Sequence, residues 1–400
     1  MTERLYLEDS HLFNCKATVT ACEQNADGTY AIELDKTVFF PNKGGQPCDT
    51  GSIGTVNITS CDEKGERLLH TAAAPLNKGA EYEVQIDKER RMDIMRQHTG
   101  EHILSWAAYM LFGAVNVGFH CALDYATLDT DIPLDDAACE KMEILANEVA
   151  LDNRPVTTKI YEREEDLAGV PLRKHTEGLE APIRVVTIEN SDSCTCCAPH
   201  VKTTGEIGLI KITQRTAWKG GTRITFLCGE RALKYTEEQQ RLVRALCLKF
   251  STGSETLFAT VEKIGAELEK EKKLNRAMAD RLQEYYKEEL QKKAVAVKSI
   301  SLITEVAETD SRQLRPLALS TLTEKAVTLL FARDGEKTGY VLVSKGIKEN
   351  MGEWLQAVNA ATGGKGGGRG DMAQGSCAGA VSPETVAQLK NYLILRLKNI

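Results

Sequence analysis

Residues 87–112 contain no proline and a single glycine, and Met92, Met95, Trp106 and Tyr109 recur at helical spacing behind Asp87, a residue suited to cap a helix N-terminus. The run predicts one helix of about 25 residues, roughly 37 Å long. It carries Gln97-His98-Thr99-Gly100-Glu101-His102. Spacing of i, i+4 puts both imidazoles on one face, one turn apart, which is how a helix offers two nitrogen ligands to one tetrahedral zinc. A histidine pair at this spacing also arises for packing, and the apolar segment that follows, residues 106–112, would bury it.

A second cluster, Cys194-Thr195-Cys196-Cys197-Ala198-Pro199-His200, gathers three of the 12 cysteines and one of the 7 histidines. Thiolate and imidazole together suit zinc, and Pro199 gives the segment a defined shape. The plainer reading is a group of core thiols, and composition leaves open which of Cys194, Cys196 and Cys197 binds. Together the two motifs supply three imidazole nitrogens and one thiolate, a complete tetrahedral set. A closed shell of four is the manner of structural zinc; catalysis then requires one ligand to leave or the metal to become five-coordinate.

The 400 residues, 42% hydrophobic and 27% charged, describe an ordinary globular chain of two to three domains. There is no apolar run of about 18 residues and no basic-then-apolar leader, so the expected location is cytoplasmic, with no membrane partner. In a reducing compartment, cysteines serve metals or cores rather than a disulfide framework. The net charge of -7 argues against coating nucleic acid by bulk charge, and leaves a local basic surface open.

The expected fold class is α+β. Residues 16–23, 29–37 and 82–86 are β-prone, with a hairpin signal at Asn25-Ala26-Asp27-Gly28, so residues 1–87 form an antiparallel β-barrel. Residues 88–230 mix helix and strand in a zinc-containing α+β domain. Residues 231–297 are a helical or coiled-coil connector: Leu257, Val261, Ile264 and Leu268 repeat at 4-3-4 spacing, and Leu274, Met278, Leu282 and Tyr285 resume after a register break at Glu271. A helix packed on its own chain and an intermolecular pair fit equally. Residues 298–400 form a C-terminal α/β domain with a Gly-rich loop at 363–375.

His98-x-x-x-His102 followed by Cys196-x-x-x-His200 resembles the zinc-binding pair of motifs in the editing domain of alanyl-tRNA synthetase and its free-standing AlaX-type relatives. Gly44-Gly45-Gln46 with Asp49-Thr50-Gly51 is similar to that family's barrel signature, and Thr204-Gly205-Glu206-Ile207-Gly208, Lys219-Gly220-Gly221-Thr222-Arg223 and Cys228-Gly229-Glu230-Arg231 to its later segments. Gly363-Gly364-Lys365-Gly366-Gly367-Gly368-Arg369-Gly370 resembles the DHH-associated domain that ends the synthetase, which sets residues 298–400 in that class.

The resemblance implies a long-form trans-editing hydrolase, with no aminoacylation domain and no use of ATP. Its substrate would be mischarged alanine tRNA, chiefly the seryl and in some members the glycyl ester, and its cofactor one Zn2+ per chain. An alanine pocket rejects an added hydroxyl by only roughly 100-fold, so a second sieve must destroy what leaks through. The implied metal ligands are His98, His102, Cys196 and His200, with Cys197 a rival because Cys197, Ala198 and Pro199 stand where synthetases carry Gly-Gly-Thr.

Other roles are candidates. Glu101 is a possible general base by position, or an ordinary helix-pairing glutamate. Gly44, Gly45 and Gln46 would let backbone approach the RNA terminus, or turn the barrel. Thr99, Gln46 and His120 are candidates for reading the serine hydroxyl. Lys202, Lys211, Arg215, Lys219 and Arg223, with Trp218 among them, make a basic run in which Lys219 and Arg223 are phosphate contacts, as are Lys365 and Arg369 in the Gly-rich loop. A homodimer through the helical segment or the C-terminal domain is the further partner. Two other classes compete: an H-x-x-E-H zinc peptidase with Glu101 as base, and a non-catalytic RNA-binding protein with a structural zinc.

Overall fold

The structure, a computed structural model, describes residues 2–173 and 182–400 and divides into two compact units, Met1–Ser251 and Thr252–Ile400. In the first, the two-residue strand β1 (Glu3–Arg4) pairs in parallel with β4 (Lys36–Thr37). Around them β2 (Asn14–Gln24), β3 (Tyr30–Leu34), β5 (Gly51–Ile53), β6 (Val56–Lys64), β7 (Arg67–Ala72) and β8 (Glu81–Ile86) close an antiparallel barrel in the order β2-β3-β7-β6-β5-β8. Alternation drives the closure. In β8, Val84 and Ile86 point inward while Glu81, Glu83 and Gln85 face solvent. With Val19, Ile32, Leu34, Ile53, Ile58 and Leu68 they fill the barrel, each contributing about 1.5–3 kcal/mol by burial.

The predicted long helix is α1 (Lys88–Phe112), capped by Asp87, whose side chain accepts from the Arg90 N–H, and ended by Gly113 at φ 68°. Its residues 97–105 are all buried, so it is the spine of the unit rather than a surface helix. An antiparallel sheet in the order β14-β15-β10-β9 lies against it, built from β9 (Asn116–Cys121), β10 (Ala126–Thr130), β14 (Ile210–Trp218) and β15 (Gly221–Cys228). Met95, Ile103 and Leu104 of α1 share one core with Leu128, Ile224 and Phe226 of the sheet and with Met142, Ala146 and Val149 of α2 (Asp136–Leu151). A smaller antiparallel sheet follows, β11 (Val156–Tyr161), β12 (Ile183–Ile188) and β13 (Ser193–Thr195).

Barrel and α+β region form one unit, where the sequence suggested a boundary at residue 87. The reason is the buried pair of Arg91 and Asp49: the Arg91 guanidinium bonds both Asp49 oxygens, the Val38 carbonyl at 2.6 Å and the Ser10 carbonyl at 3.0 Å. The unit also runs past residue 230 to include α3 (Glu230–Phe250). Arg231, in its first turn, donates to Asp93 at 2.6 Å and to the Ala122 carbonyl at 2.9 Å.

In the second unit, α4 (Leu257–Lys292) is one continuous helix, uninterrupted at Glu271. Its apolar stripe is largely exposed, Leu268 at 54% and Met278 at 57%. A mixed sheet follows, ordered β16-β17-β18-β19-β21-β20, from β16 (Val295–Val297), β17 (Ile300–Val306), β18 (Ala326–Asp334), β19 (Lys337–Lys345), β20 (Lys365–Arg369) and β21 (Met372–Ala378). Only β17 and β18 among these run parallel. Helices α6 (Met351–Thr362) and α7 (Pro383–Lys398) share one core with the sheet and α5 (Ser311–Ser320) another. The expected Gly-rich loop is therefore a hairpin: Lys365 pairs with Ser376 and Arg369 with Met372, leaving β20 as an exposed edge strand. Its glycines allow close strand pairing, which local composition alone reads as a loop. No described helix is long and apolar enough to cross a membrane.

Candidate metal centre

His98 and His102 lie at the buried middle of α1, and Cys196 and His200 are brought to them by the segment after β13. The ligating atoms of the four lie within 4.8 Å of one another. Cys196 Sγ is 3.6 Å from His98 Nε2 and 3.3 Å from His200 Nε2. The cysteine segment is fixed from both sides. Arg184 donates to the Cys196 and Ala198 carbonyls at 2.9 and 2.8 Å, and Ala198 packs into the barrel core.

Each histidine has its other nitrogen occupied. His98 Nδ1 donates to Gln46 Oε1 at 2.5 Å, His102 Nδ1 lies 3.2 Å from Asp192 Oδ2, and His200 Nδ1 is 3.0 Å from Thr99 Oγ1. Because Gln46 Oε1 and a carboxylate can only accept, the proton of His98 and of His102 sits on Nδ1, and a lone pair on Nε2 faces the centre. Arg173 in turn donates to Asp192 at 2.6 Å. Such outer partners are what orient metal-binding imidazoles.

The members of the cluster shift in different directions. Burial alone would raise the Cys196 thiol, yet the neighbouring histidines outweigh it and hold it well below the ordinary thiol range. Burial pushes His200 down to about 3, so it is neutral at ordinary pH. At His102, burial acts downward, but Cys194 and Asp192 prevail and raise it well above the usual histidine value. Three neutral-capable imidazoles and a thiolate form a set that fits zinc in kind and number.

Beside this cluster opens a cavity of about 330 Å³, at the small end for ligand sites. Gly44, Glu101, Asn116, Phe119, Arg173 and Thr195 line it with His98, His102 and the three cysteines Cys194, Cys196 and Cys197. Helix and sheet approach closely here: a Cβ on Gly100 would fall 2.3 Å from Cys228 Sγ, so the glycine between the two histidines lets α1 seat against β15. Gln97 completes the seating, giving and receiving bonds with the Cys228 backbone at 3.0 and 2.8 Å.

The other sequence candidates separate. Gly44 borders the cavity, whereas Gly45, at φ 77°, turns the loop against β9, and its carbonyl accepts from the Cys121 N–H at 2.6 Å. Gln46 and Thr99 are not free to read a substrate hydroxyl, since each is spent on a histidine Nδ1. His120 is exposed and lines a different groove, because its neighbour Phe119 takes the inward position on β9. Cys194 sits 3.4 Å from His102 Nδ1, outside the four-ligand group, and Cys197 is exposed. Glu101 is buried on the cavity wall and is no solvated helix residue.

The basic run dissolves in space. Lys202 pairs with Asp9, Lys211 with Glu143, Arg215 with Asp136 and Arg223 with Asp129. Arg223 is thus engaged, by two bonds of 2.7 Å to Asp129 and by stacking 3.7 Å over Trp218. Lys219, at the tip of the β14–β15 hairpin, packs against Trp218 at 5.4 Å. Counting charge along the sequence missed carboxylates supplied by α2, β10 and the N-terminal segment. Lys365 and Arg369 are exposed on β20.

Asp192, Arg173, Asn116 and Ser105 were not foreseen. Ser105 stands four residues after Glu101 and Asp192 two before Cys194, spacings that offered a signal; Arg173 and Asn116 offered none.

Two family models match: the threonyl and alanyl tRNA synthetase second additional domain over residues 183–231, and the DHHA1 domain over residues 292–398. The chain is 28% identical to the alanyl-tRNA editing protein AlaX-L of Pyrococcus horikoshii, covering 94% of each chain, and 29% identical to the alanyl-tRNA editing protein Aarsd1-B of Xenopus laevis, covering 82% of this chain and 81% of that one. It is 30% identical to the alanine–tRNA ligase of Thermococcus kodakarensis over 98% of its own length but spans only 44% of that enzyme. The chain thus carries the two domains these models describe, and along most of its length it is similar to free-standing alanyl-tRNA editing proteins and to part of alanyl-tRNA synthetase.

Proposed function

We propose that the chain is a trans-editing hydrolase that deacylates mischarged alanine tRNA, the seryl ester first and the glycyl ester second, with one zinc ion held by His98, His102, Cys196 and His200. The observation that carries this reading is the convergence of three Nε2 atoms and a thiolate beside a cavity sized for a small aminoacyl group. Bound zinc supplies Lewis-acid polarisation of the ester or of the attacking water.

The chain's own residues do the rest. Gln46 and Asp192 hold His98 and His102 in one tautomer, and with Thr99 on His200 they fix the orientation of the imidazoles, so little must reorganise as the substrate arrives. Phe119, 4.7 Å from the His98 ring, forms an apolar wall that limits water and the size of the side chain admitted. Thr195 is an uncharged polar group on the cavity wall, positioned to meet a hydroxyl, whereas Asn116 is engaged by Glu101 and Gly118. A peptidase with two histidine ligands gives no part to Cys196 and His200, which is why the editing reading is preferred.

Lys219 with Trp218 on the first unit, and Lys365 with Arg369 on the edge strand of the second, are the RNA contacts we assign, a cation with an aromatic in one case and two cations on one strand face in the other. The exposed stripe of α4 is where two copies would pair. The deciding experiment is deacylation of seryl-tRNA(Ala) by zinc-loaded protein, against His98→Ala and Cys196→Ala variants. Turnover that is lost with the ligands supports the reading; no turnover by the wild type refutes it.

A further inference from the structure

Among the described residues lining the cavity, Glu101 is the one carboxylate. It is 3% exposed, and its two oxygens are treated differently. Oε1 accepts from the Ser105 hydroxyl and from Asn116 Nδ2 at 2.6 Å, and Asn116 is itself held by the Gly118 N–H, which donates to its Oδ1 at 2.8 Å. Among the described residues Oε2 receives no hydrogen bond, and His102 Nε2 lies 4.0 Å from it. A carboxylate this deep requires compensation, and only half of it is provided by the protein. The cation that lines the same cavity, Arg173, is committed to Asp192. A ligand can supply the donor that Oε2 lacks, as a cation able to form a charge-assisted hydrogen bond.

An aminoacyl ester carries such a group next to its reacting carbonyl. Its α-ammonium loses water on entering a cavity of this size, and a fixed carboxylate offsets that loss with a charge-assisted hydrogen bond. We propose that Glu101 is the receptor for the α-ammonium of the substrate, which it holds through Oε2. The assignment rests on the ester-hydrolase reading above and differs from the base role its position first suggested. A receptor selects free aminoacyl esters and turns away N-blocked ones such as formylated or peptidyl esters, a useful discrimination in a cell full of peptidyl-tRNA.

The test compares seryl-tRNA(Ala) with N-acetylseryl-tRNA(Ala) on zinc-loaded full-length protein, and the binding of a stable 3′-amide of seryl-adenosine with that of its analogue lacking the amine. The wild type is expected to prefer the free amine by roughly 10- to 100-fold in kcat/KM and in affinity. In Glu101→Gln that ratio falls toward one, the loss appears mainly in KM, and zinc content is retained. Equal treatment of the two esters by the wild type overturns the proposal, as does a Glu101→Gln loss of kcat that is the same for both, the signature of a base. If the wild type cleaves neither ester, the hydrolase reading fails, and the amide pair decides alone: an amine preference abolished in Glu101→Gln upholds the receptor, and no preference removes it. Should Glu101→Gln not fold, the wild-type comparison still decides.

Discussion

Asp192 Oδ2 lies 3.2 Å from His102 Nδ1, with the carboxylate wholly buried and clamped from behind by Arg173. This places the proton of His102 on the nitrogen that faces away from the metal centre. Replacing Asp192 by Asn weakens that hold and is expected to lower zinc affinity by roughly 10- to 100-fold. Competition with a chromophoric chelator measures it, independently of turnover; unchanged affinity would show that His102 needs no orienting partner. Arg173→Ala should act in the same direction and less strongly, since Asp192 keeps its bond to His102.

Gly100 stands between the histidines for a steric reason. Adding a methyl would normally favour a helix interior by up to about 1 kcal/mol, but here the new Cβ would sit 2.3 Å from Cys228 Sγ. Gly100→Ala is expected to destabilise the first unit by about 1–3 kcal/mol through overpacking. Cys228→Ala removes the obstructing sulfur, so the double variant should recover much of the loss. Additive effects in chemical denaturation would refute the contact as the cause.

The α1 spine and the gathering of His98, His102, Cys196 and His200 were legible because helix periodicity and clustered His and Cys are local signals. The barrel was only half legible. β2, β3 and β8 alternate clearly, whereas the strands at Gly51–Ile53 and Val56–Lys64 are short or polar and take their place only through pairing. What remained hidden was everything set by long-range partners. Thr99 and Gln46 looked like free polar groups until the fold brought a histidine nitrogen to each, and the cations of residues 202–223 looked like a patch until their carboxylates arrived. Gly363 to Arg369 reads as a loop by composition, and becomes a strand because β21 is there to pair with it.

Inside the barrel, His70 donates from Nδ1 to the Ile32 carbonyl at 3.0 Å, and its Nε2 lies 2.9 Å from the Thr37 hydroxyl. Burial lowers its pKa to about 4. The folded value lies below the unfolded one, so between pH 6.5 and about 4 the unfolded chain takes a proton that the native chain refuses. Its contribution is therefore intact above the unfolded value and is lost as pH falls through this window, by up to about 3 kcal/mol in all. Urea titrations of the wild type and of His70→Gln between about pH 7 and pH 4.5 test this. The variant should show the shallower pH dependence, and parallel curves would exclude His70 as the group responsible.

Lys219 and Arg223 are neighbours on one hairpin but should behave differently on removal. Lys219 has no carboxylate partner among the described residues, so Lys219→Ala is expected to leave stability unchanged, weaken tRNA binding and reduce the slope of log affinity against log salt by about 1. Arg223 is bound to Asp129, itself only 9% exposed, and Arg223→Ala leaves that carboxylate unpaired. The expected result is a loss of thermal stability, with a salt slope close to that of the wild type, because a neutralised guanidinium releases few counterions from RNA. A double variant with Asp129→Asn should regain stability by removing the orphaned charge. Equal salt slopes for Lys219→Ala and the wild type would take the hairpin tip out of the RNA surface.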